Sequence, residues 1–345
     1  MTVHVTQPRP CQDALRIQVT VDGVQPVREE VVREFQREAT IAGFRKGKAP
    51  RELVERQHPV QIREETVRRL TRQVFEQAAT ERKLKPVGPF EVTRLDFNEA
   101  KGLEVEATVE VEPEFKLVEY RKIPLTKTSS TVTAEDVAQA LSRLQESMAQ
   151  LVPTEEGKPK EKRVPNLDDE FAKDVGLETL ALLKTQVEAK LREQKQRQQR
   201  DALEQGLCEA VLSRHQFEVP PGLVGRQSER LTRDFQARLL LAGLTEDQVT
   251  QELATYTAQL QTDALRHVKL AFILDRIAEQ ERLSVTQDEL VDRLWILSKR
   301  WGKDPAEVRR LLDGRGLWPS VISSIRQEKT MAFLLSAAQV EEVAQ

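Results

Sequence analysis

At 345 residues the chain is too long for one small core, so two or three domains are expected. The 53 Lys and Arg against 56 Asp and Glu leave a net charge of -3, a densely charged but balanced surface that names no partner class. Cys11 and Cys208 are the only two cysteines, far apart and in no CxxC pattern, and nowhere do eighteen apolar residues run together, which argues against a disulfide framework, a zinc site and a membrane span.

The opening "MTVHVTQPRPCQDALRIQV" has neither a positively charged start before an apolar run nor a small-residue cleavage site, so a soluble, cytoplasmic protein is expected. From Ala14 to Val21 the alternation of Leu15, Ile17, Val19 and Val21 with polar residues predicts a half-buried strand. Pro26 opens a helical pattern through Val27, Val31, Phe35 and Ile41, with Gly43 as its stop. A second helix is predicted from about Val60 to Arg82, with Ile62, Val67, Leu70, Val74, Phe75 and Ala78 on one side. Then "FEVTRLDF" and "GLEVEATVEVEPEF" return to period two, so residues 1–119 read as an α+β domain.

Residues 120–132 are polar and read as an extended linker, after which Thr133 caps a helix bearing Val137, Leu141, Leu144, Met148 and Leu151. The stretch "PTEEGKPKEKRVP" carries three prolines and alternating charge, which predicts a solvated connector within a 120–166 linker region. From 167 to 345 the chain reads as all-α, with about six helices to its end. Starts are marked by Thr245 with Gln248, Thr286 with Glu289, Asp304 with Pro305, and Pro319; stops fall at Gly176, Gly243 and Gly302. Residues 178–214 as one helix span about 55 Å at 1.5 Å per residue. Its polar middle, "KLREQKQRQQRDALEQ", predicts a projecting arm, with antiparallel partners from 223–242 and 253–277.

No catalytic constellation emerges. His4, His58, His215 and His267 are scattered, GxSxG and HExxH are absent, and acid pairs such as Asp168 and Asp169 or Glu341 and Glu342 suit helix ends or solubility. No metal or cofactor is expected.

The stretch that stands apart is "IAGFRKGKAP". It departs from a phosphate-binding loop, because three residues separate Gly43 from Gly47 and Ala49 takes the place of the magnesium-binding hydroxyl. Between Phe44 and Lys85 twelve bases face six acids, an excess of six positive charges that would attract phosphate; along the helix the alternative is a solvated face laced with i, i+4 pairs. Phe44 beside Arg45, Lys46 and Lys48, held between Gly43 and Gly47 and closed by Pro50, makes an aromatic anchor ringed by charge.

This loop resembles the signature of bacterial trigger factor, Gly-Phe-Arg-x-Gly-Lys-x-Pro, matched at Gly43, Phe44, Arg45, Gly47, Lys48 and Pro50. "FEVPPGLVGRQSERL" from Phe217 and "VPNLDDEFAKDVG" are similar to that family's entries into its C-terminal helices. The resemblance implies an α+β ribosome-binding domain followed by an all-α, extended domain with helical arms. It further implies an ATP-independent chaperone that docks through Gly43, Phe44, Arg45, Lys46, Gly47, Lys48 and Pro50 on protein and rRNA of the large ribosomal subunit. Its clients would be nascent or unfolded polypeptides, and a homodimer when free is part of the same implication. The family's FKBP-type prolyl isomerase domain has no room here, since fifteen residues separate Leu151 from Leu167. Three alternatives stand beside this: a periplasmic chaperone of the SurA type, which would need an export signal; an RNA-binding protein without chaperone activity; and residual prolyl isomerase activity by family membership.

Overall fold

Strands β1 (Thr2–Arg9) and β2 (Gln12–Val19) open the chain and meet at a tight turn in which Cys11 takes a positive φ of 59°. Helices α1 (Val21–Glu38), α2 (Arg51–Gln57) and α3 (Pro59–Glu81) follow, then the hairpin of β3 (Glu91–Asn98) and β4 (Gly102–Glu110). Next come β5 (Pro124–Thr128), α4 (Ala134–Ser147), the three-residue strands β6 (Gln150–Val152) and β7 (Glu161–Arg163), and α5 (Asp169–Asp174). The rest is α6 (Leu180–Arg214), α7 (Pro221–Leu241), α8 (Glu246–Gln280), α9 (Gln287–Trp301), α10 (Pro305–Gly314), α11 (Trp318–Ala337) and β8 (Gln339–Val343). This computed structural model describes residues 1–42, 44–152 and 161–343. The chain forms two compact units, one of residues 1–117 with 215–276 and one of 118–214 with 277–345.

In the first unit the strands form one antiparallel sheet in the order β1-β2-β4-β3. Alternation puts Leu15, Ile17 and Val19 of β2 and Leu103, Val105, Ala107 and Val109 of β4 on one face. There they share a core with Val24 and Val27 of α1 and Leu70, Val74, Phe75 and Ala78 of α3. α3 matches the predicted span closely. α1 does not begin at Pro26: it starts at Val21 with Pro26 inside, because burial of Val24 and Val27 on either side of the proline rewards helix through it. The helix ends at Glu38 with Ala39 as its cap, before Gly43, which itself lies outside the described residues. β1 escaped the sequence reading because only its Val3 is buried, leaving little alternation to detect.

The same unit contains an antiparallel pair of helices, α7 and the first part of α8. Phe235 meets Tyr256 edge-on with ring centroids 5.3 Å apart, and Gln227 reaches His267 at 3.3 Å. The predicted capping box is present, with the Thr245 amide donating to Gln248 Oε1 at 3.0 Å. α7 is preceded by Pro220, which has no side chain to cap it. Instead Glu110 of β4 accepts from the Gly222 amide and pairs with Arg226 at 3.4 Å. A Cβ at Gly222 would stand 2.6 Å from the Glu110 carboxylate, so glycine permits this approach. Phe115 and Phe217 stack at 4.1 Å, and the Cys11 thiol donates to the Glu218 carbonyl at 3.2 Å.

In the second unit the predicted linker is not merely extended. Ile123 and Leu125 are buried, and β5 pairs in parallel with β8, so the chain does not stay helical to its end. α4 has the predicted start, a capping box between Thr133 and Asp136, but stops at Ser147, and Leu151 falls in β6. Residues 153–160 of the predicted connector lie outside the described residues. Seven helices, rather than six, follow Asn166 among the described residues, the extra one being the short α5. Gly302 closes α9 in the left-handed conformation, as its position predicts.

α6 is one continuous helix of 35 residues, buried at its ends through Leu183, Leu207 and Val211. Its polar middle does not project unaccompanied. Lys195 bonds Asp136 Oδ2 at 2.6 Å and the Thr131 carbonyl at 2.9 Å, and Gln199 donates to the Thr128 carbonyl. Its companions are thus α4 and β5, whereas the expected partners, residues 223–242 and 253–277, all belong to the other unit except Ile277. A helix rim without apolar residues can still be lined by polar contacts, which periodicity does not register.

Candidate functional site

The loop of residues 39–50 is pinned at both ends. Ile41 and Ala49 are buried with Val31, Val32, Val54 and Ile62, and Phe35, Ala39 and Leu53 pack against that cluster. The Gln36 amide donates to the Ala49 carbonyl at 2.7 Å, and Pro50 stands at the N-cap of α2. Between these anchors the backbone makes two turns, Phe44 N–H to the Ile41 carbonyl at 3.0 Å and Lys48 N–H to the Arg45 carbonyl at 2.9 Å. Gly47 takes φ 80° at the third position of the second turn, the place where a type II turn requires a positive φ. A Cβ there would meet nothing closer than 3.5 Å, so the demand for glycine comes from the backbone and not from crowding.

Anchoring forces the intervening side chains outward. Phe44 is 42% exposed, unusual for a phenylalanine, and Arg45, Lys46 and Lys48 are exposed, with Gly47 half-buried beneath them. Among the described residues, no hydrogen bond or ion pair engages the side chains of Arg45, Lys46 or Lys48.

The bases of the following helices are placed differently. Arg51 pairs with Glu55 at 2.9 Å, Arg68 with Glu65 at 2.5 Å, Arg72 with Glu76 at 3.0 Å, and Arg69 with both Glu65 and Glu34. Hydrogen bonding from Arg69 holds the Glu34 carboxyl below the usual carboxylate range. Arg63 and Arg82 spend hydrogen bonds on the carbonyls of Phe97 and Val3, and Lys85 pairs with Glu112. Along α3 the excess of bases is therefore largely taken up within the fold. Among the described residues, three of the bases that are exposed and unpaired, Arg45, Lys46 and Lys48, lie together in the loop beside the exposed Phe44, while Arg56 and Lys83 stand apart from it.

Such a tip can insert Phe44 into an apolar recess while its cations meet phosphates or carboxylates. The sequence reading placed Ile41 on the helix opened by Pro26 and noted Ala49 only as replacing a magnesium-binding hydroxyl, so neither was read as an anchor; Gln36 was not legible either, because its partner is a backbone carbonyl thirteen residues away.

Two family models match the chain: Bacterial trigger factor protein (TF) over residues 1–144, and Bacterial trigger factor protein (TF) C-terminus over residues 179–336. The chain is 25% identical over 429 aligned positions to the trigger factor of Anaeromyxobacter dehalogenans, covering 99% of this chain and 100% of the relative. To that of Desulforamulus reducens it is 26% identical, covering 95% and 96%. The 429 positions exceed the 345 residues here, and the two family matches leave 145–178 unclaimed. The middle isomerase domain of these relatives is missing at that point. A solved structure concerning promiscuous substrate recognition in folding and assembly activities of the trigger factor chaperone superposes with a TM-score of 0.53. At 19% identity and 97% coverage of this chain, it supports the fold.

Proposed function

We infer function from one premise: the chain belongs to the bacterial trigger factor family. On that basis it is a chaperone that docks at the exit of the ribosomal tunnel and holds nascent or unfolded polypeptides without ATP. The observation that carries the docking role is the Phe44, Arg45 and Lys46 tip, exposed and unpaired on a pinned loop. Phe44 would fill a recess on ribosomal protein while Arg45, Lys46 and Lys48 neutralise rRNA phosphates or acidic side chains, with Gly47 and Pro50 fixing the turn and Gly43 matching the family signature.

The holding role draws support from apolar side chains left in water on the helices, such as Leu240 and Leu241 at the end of α7. Dispersed patches of this kind bind weakly one by one and gain residence time when several engage. The family's setting supports action in the cytoplasm, with a monomer on the ribosome that pairs when free. No helix among the described residues is long and apolar enough to cross a membrane. Prolyl isomerisation is not part of this reading, since the domain that carries it is missing.

The test is suppression of aggregation. A denatured protein diluted into buffer with this chain and no nucleotide should stay soluble in proportion to the chain added. Addition of ATP should change nothing, and proline-limited refolding should not accelerate. Aggregation unaffected by the chain at several-fold excess, or dependent on ATP, would count against it.

A further inference from the structure

Strand β2 breaks its own pattern at one position. Its buried face carries Leu15, Ile17 and Val19, and the fourth residue of that face is Asp13, only 8% exposed. The buried Val109 of β4 stands opposite it, while β1 shifts register between Thr6 and Arg9 and supplies no partner residue. Among the described residues, the Asp13 side chain has no hydrogen bond and no ion pair. A strand of period two calls for an apolar side chain here, and a carboxylate kept from water without a partner is costly, so Asp13 has a role other than packing.

Asp13 lines an open cavity of about 930 Å³ bounded by the β1–β2 turn, the C-terminal end of α3, the segment after β4, residues 216–218 and Arg276 of α8. The bases around this cavity are engaged elsewhere or stand in water. Arg82 bonds the Val3 carbonyl, Lys85 pairs with Glu112 at 3.0 Å, Arg276 lies over the Phe115 ring at 5.8 Å, and Arg9 and Lys83 are exposed. Two further carboxylates, Glu114 and Glu218, sit exposed on the rim. Burial, and after it the Glu114 carboxylate, push the Asp13 carboxyl above the ordinary 3.8. The same rim carries the bonds that close this end of the unit. The Cys11 thiol donates to the Glu218 carbonyl at 3.2 Å, the Val111 amide to the Cys11 carbonyl at 3.0 Å, and the Glu112 amide to the Lys85 carbonyl at 3.0 Å.

We propose that Asp13 is a proton-operated latch: ionised, it promotes local opening of the β1–β2 turn away from Val111 and residues 216–218, and with a proton bound it lets this end of the sheet close. The device is separate from the docking loop and needs neither ribosome nor client. Because the folded value is the higher one, the loosening is fully present above it and is relieved as pH falls towards 3.8. Each pH unit by which the folded value exceeds the ordinary one is worth about tenfold in the opening equilibrium.

The experiment is amide hydrogen exchange on the full chain, stepped from about pH 7.5 to about pH 4.0 and corrected for the intrinsic pH dependence of exchange. In the wild type, protection of the Val111 and Glu112 amides should rise about tenfold or more on acidification, a rise that residues 124–128 of the other unit do not share. Asp13→Asn, which keeps the shape and removes the charge, should show the higher protection at both ends of the range. Wild-type protection that does not change with pH, or an equal rise in Asp13→Asn, overturns the proposal. Should Asp13→Asn fail to fold, Glu114→Gln at the exposed rim decides: a wild-type transition moved to lower pH supports the latch, and a transition left in place overturns it.

Discussion

Asp136 shows how much one side chain can be asked to do. It closes the capping box of α4, accepting from the Thr133 amide at 2.8 Å, and meets Lys195 of α6 at 2.6 Å. Hydrogen bonding from Lys195, then from Thr133, pulls its carboxyl down to about 2 from the ordinary 3.8. Because the folded value is the lower one, the stabilisation is fully present above about pH 3.8 and is lost as pH falls towards 2. Asp136→Asn should therefore lower the urea midpoint most at neutral pH, with a gap from wild type that narrows at about pH 3; a constant gap would contradict this pairing. Glu110 acts at longer range, with a side chain 17% exposed and its carboxylate on the Gly222 amide. Glu110→Ala should cost about 1–3 kcal/mol by leaving that amide and Arg226 without their acceptor, read as a urea midpoint shift at unchanged slope. The Thr133 cap was legible in the sequence because capping is local. Glu110 was not, since its partner lies 112 residues away.

At the scale of elements, what periodicity could see was what a single helix or strand buries on one side. α3, β2 and the β3–β4 hairpin were read from their apolar spacing, and Thr286 and Asp304 marked helix starts where they occur. The pairing of β5 with β8 was invisible: "PLTKT" and "QVEEV" are short and polar, and their meeting depends on a parallel register across more than two hundred residues. Yet this pair ties the linker to the C-terminus, with Lys122 donating to the Ala337 carbonyl at 2.8 Å and Gln339 to the Ile123 carbonyl at 2.9 Å. Deletion of residues 339–345 removes the β-partner of β5. Amide exchange at residues 124–128 should speed up by an order of magnitude or more, while the amides of β2 and β4 keep their protection. Unchanged exchange at residues 124–128 would show that β5 is held by its other neighbours.

Across the whole molecule, the consecutive segments read from the sequence, 1–119, 120–166 and 167–345, are not how packing groups the chain. Residues 215–276 pack with 1–117, through contacts such as the Phe115–Phe217 stack and the Glu110 cap that no local pattern encodes. Charge behaves likewise. The sequence showed an excess of bases from Phe44 to Lys85, but only the fold separates those consumed by Glu34, Glu55, Glu65 and Glu76 from those left free among the described residues, Arg56, Lys83 and the loop cluster of Arg45, Lys46 and Lys48. That sorting is what singles out the loop as the tip proposed to dock. The most direct measurement is co-sedimentation of the protein with purified bacterial ribosomes, comparing wild type with the combined Phe44→Ala, Arg45→Ala and Lys46→Ala variant. Wild type should pellet with the ribosomes while the folded variant stays in the supernatant, with affinity reduced by about a hundredfold or more, as expected for loss of a central aromatic and its charged neighbours. Equal pelleting of the two, with the variant still folded, would contradict docking through this loop and hand the role to a general attraction between rRNA and the remaining bases.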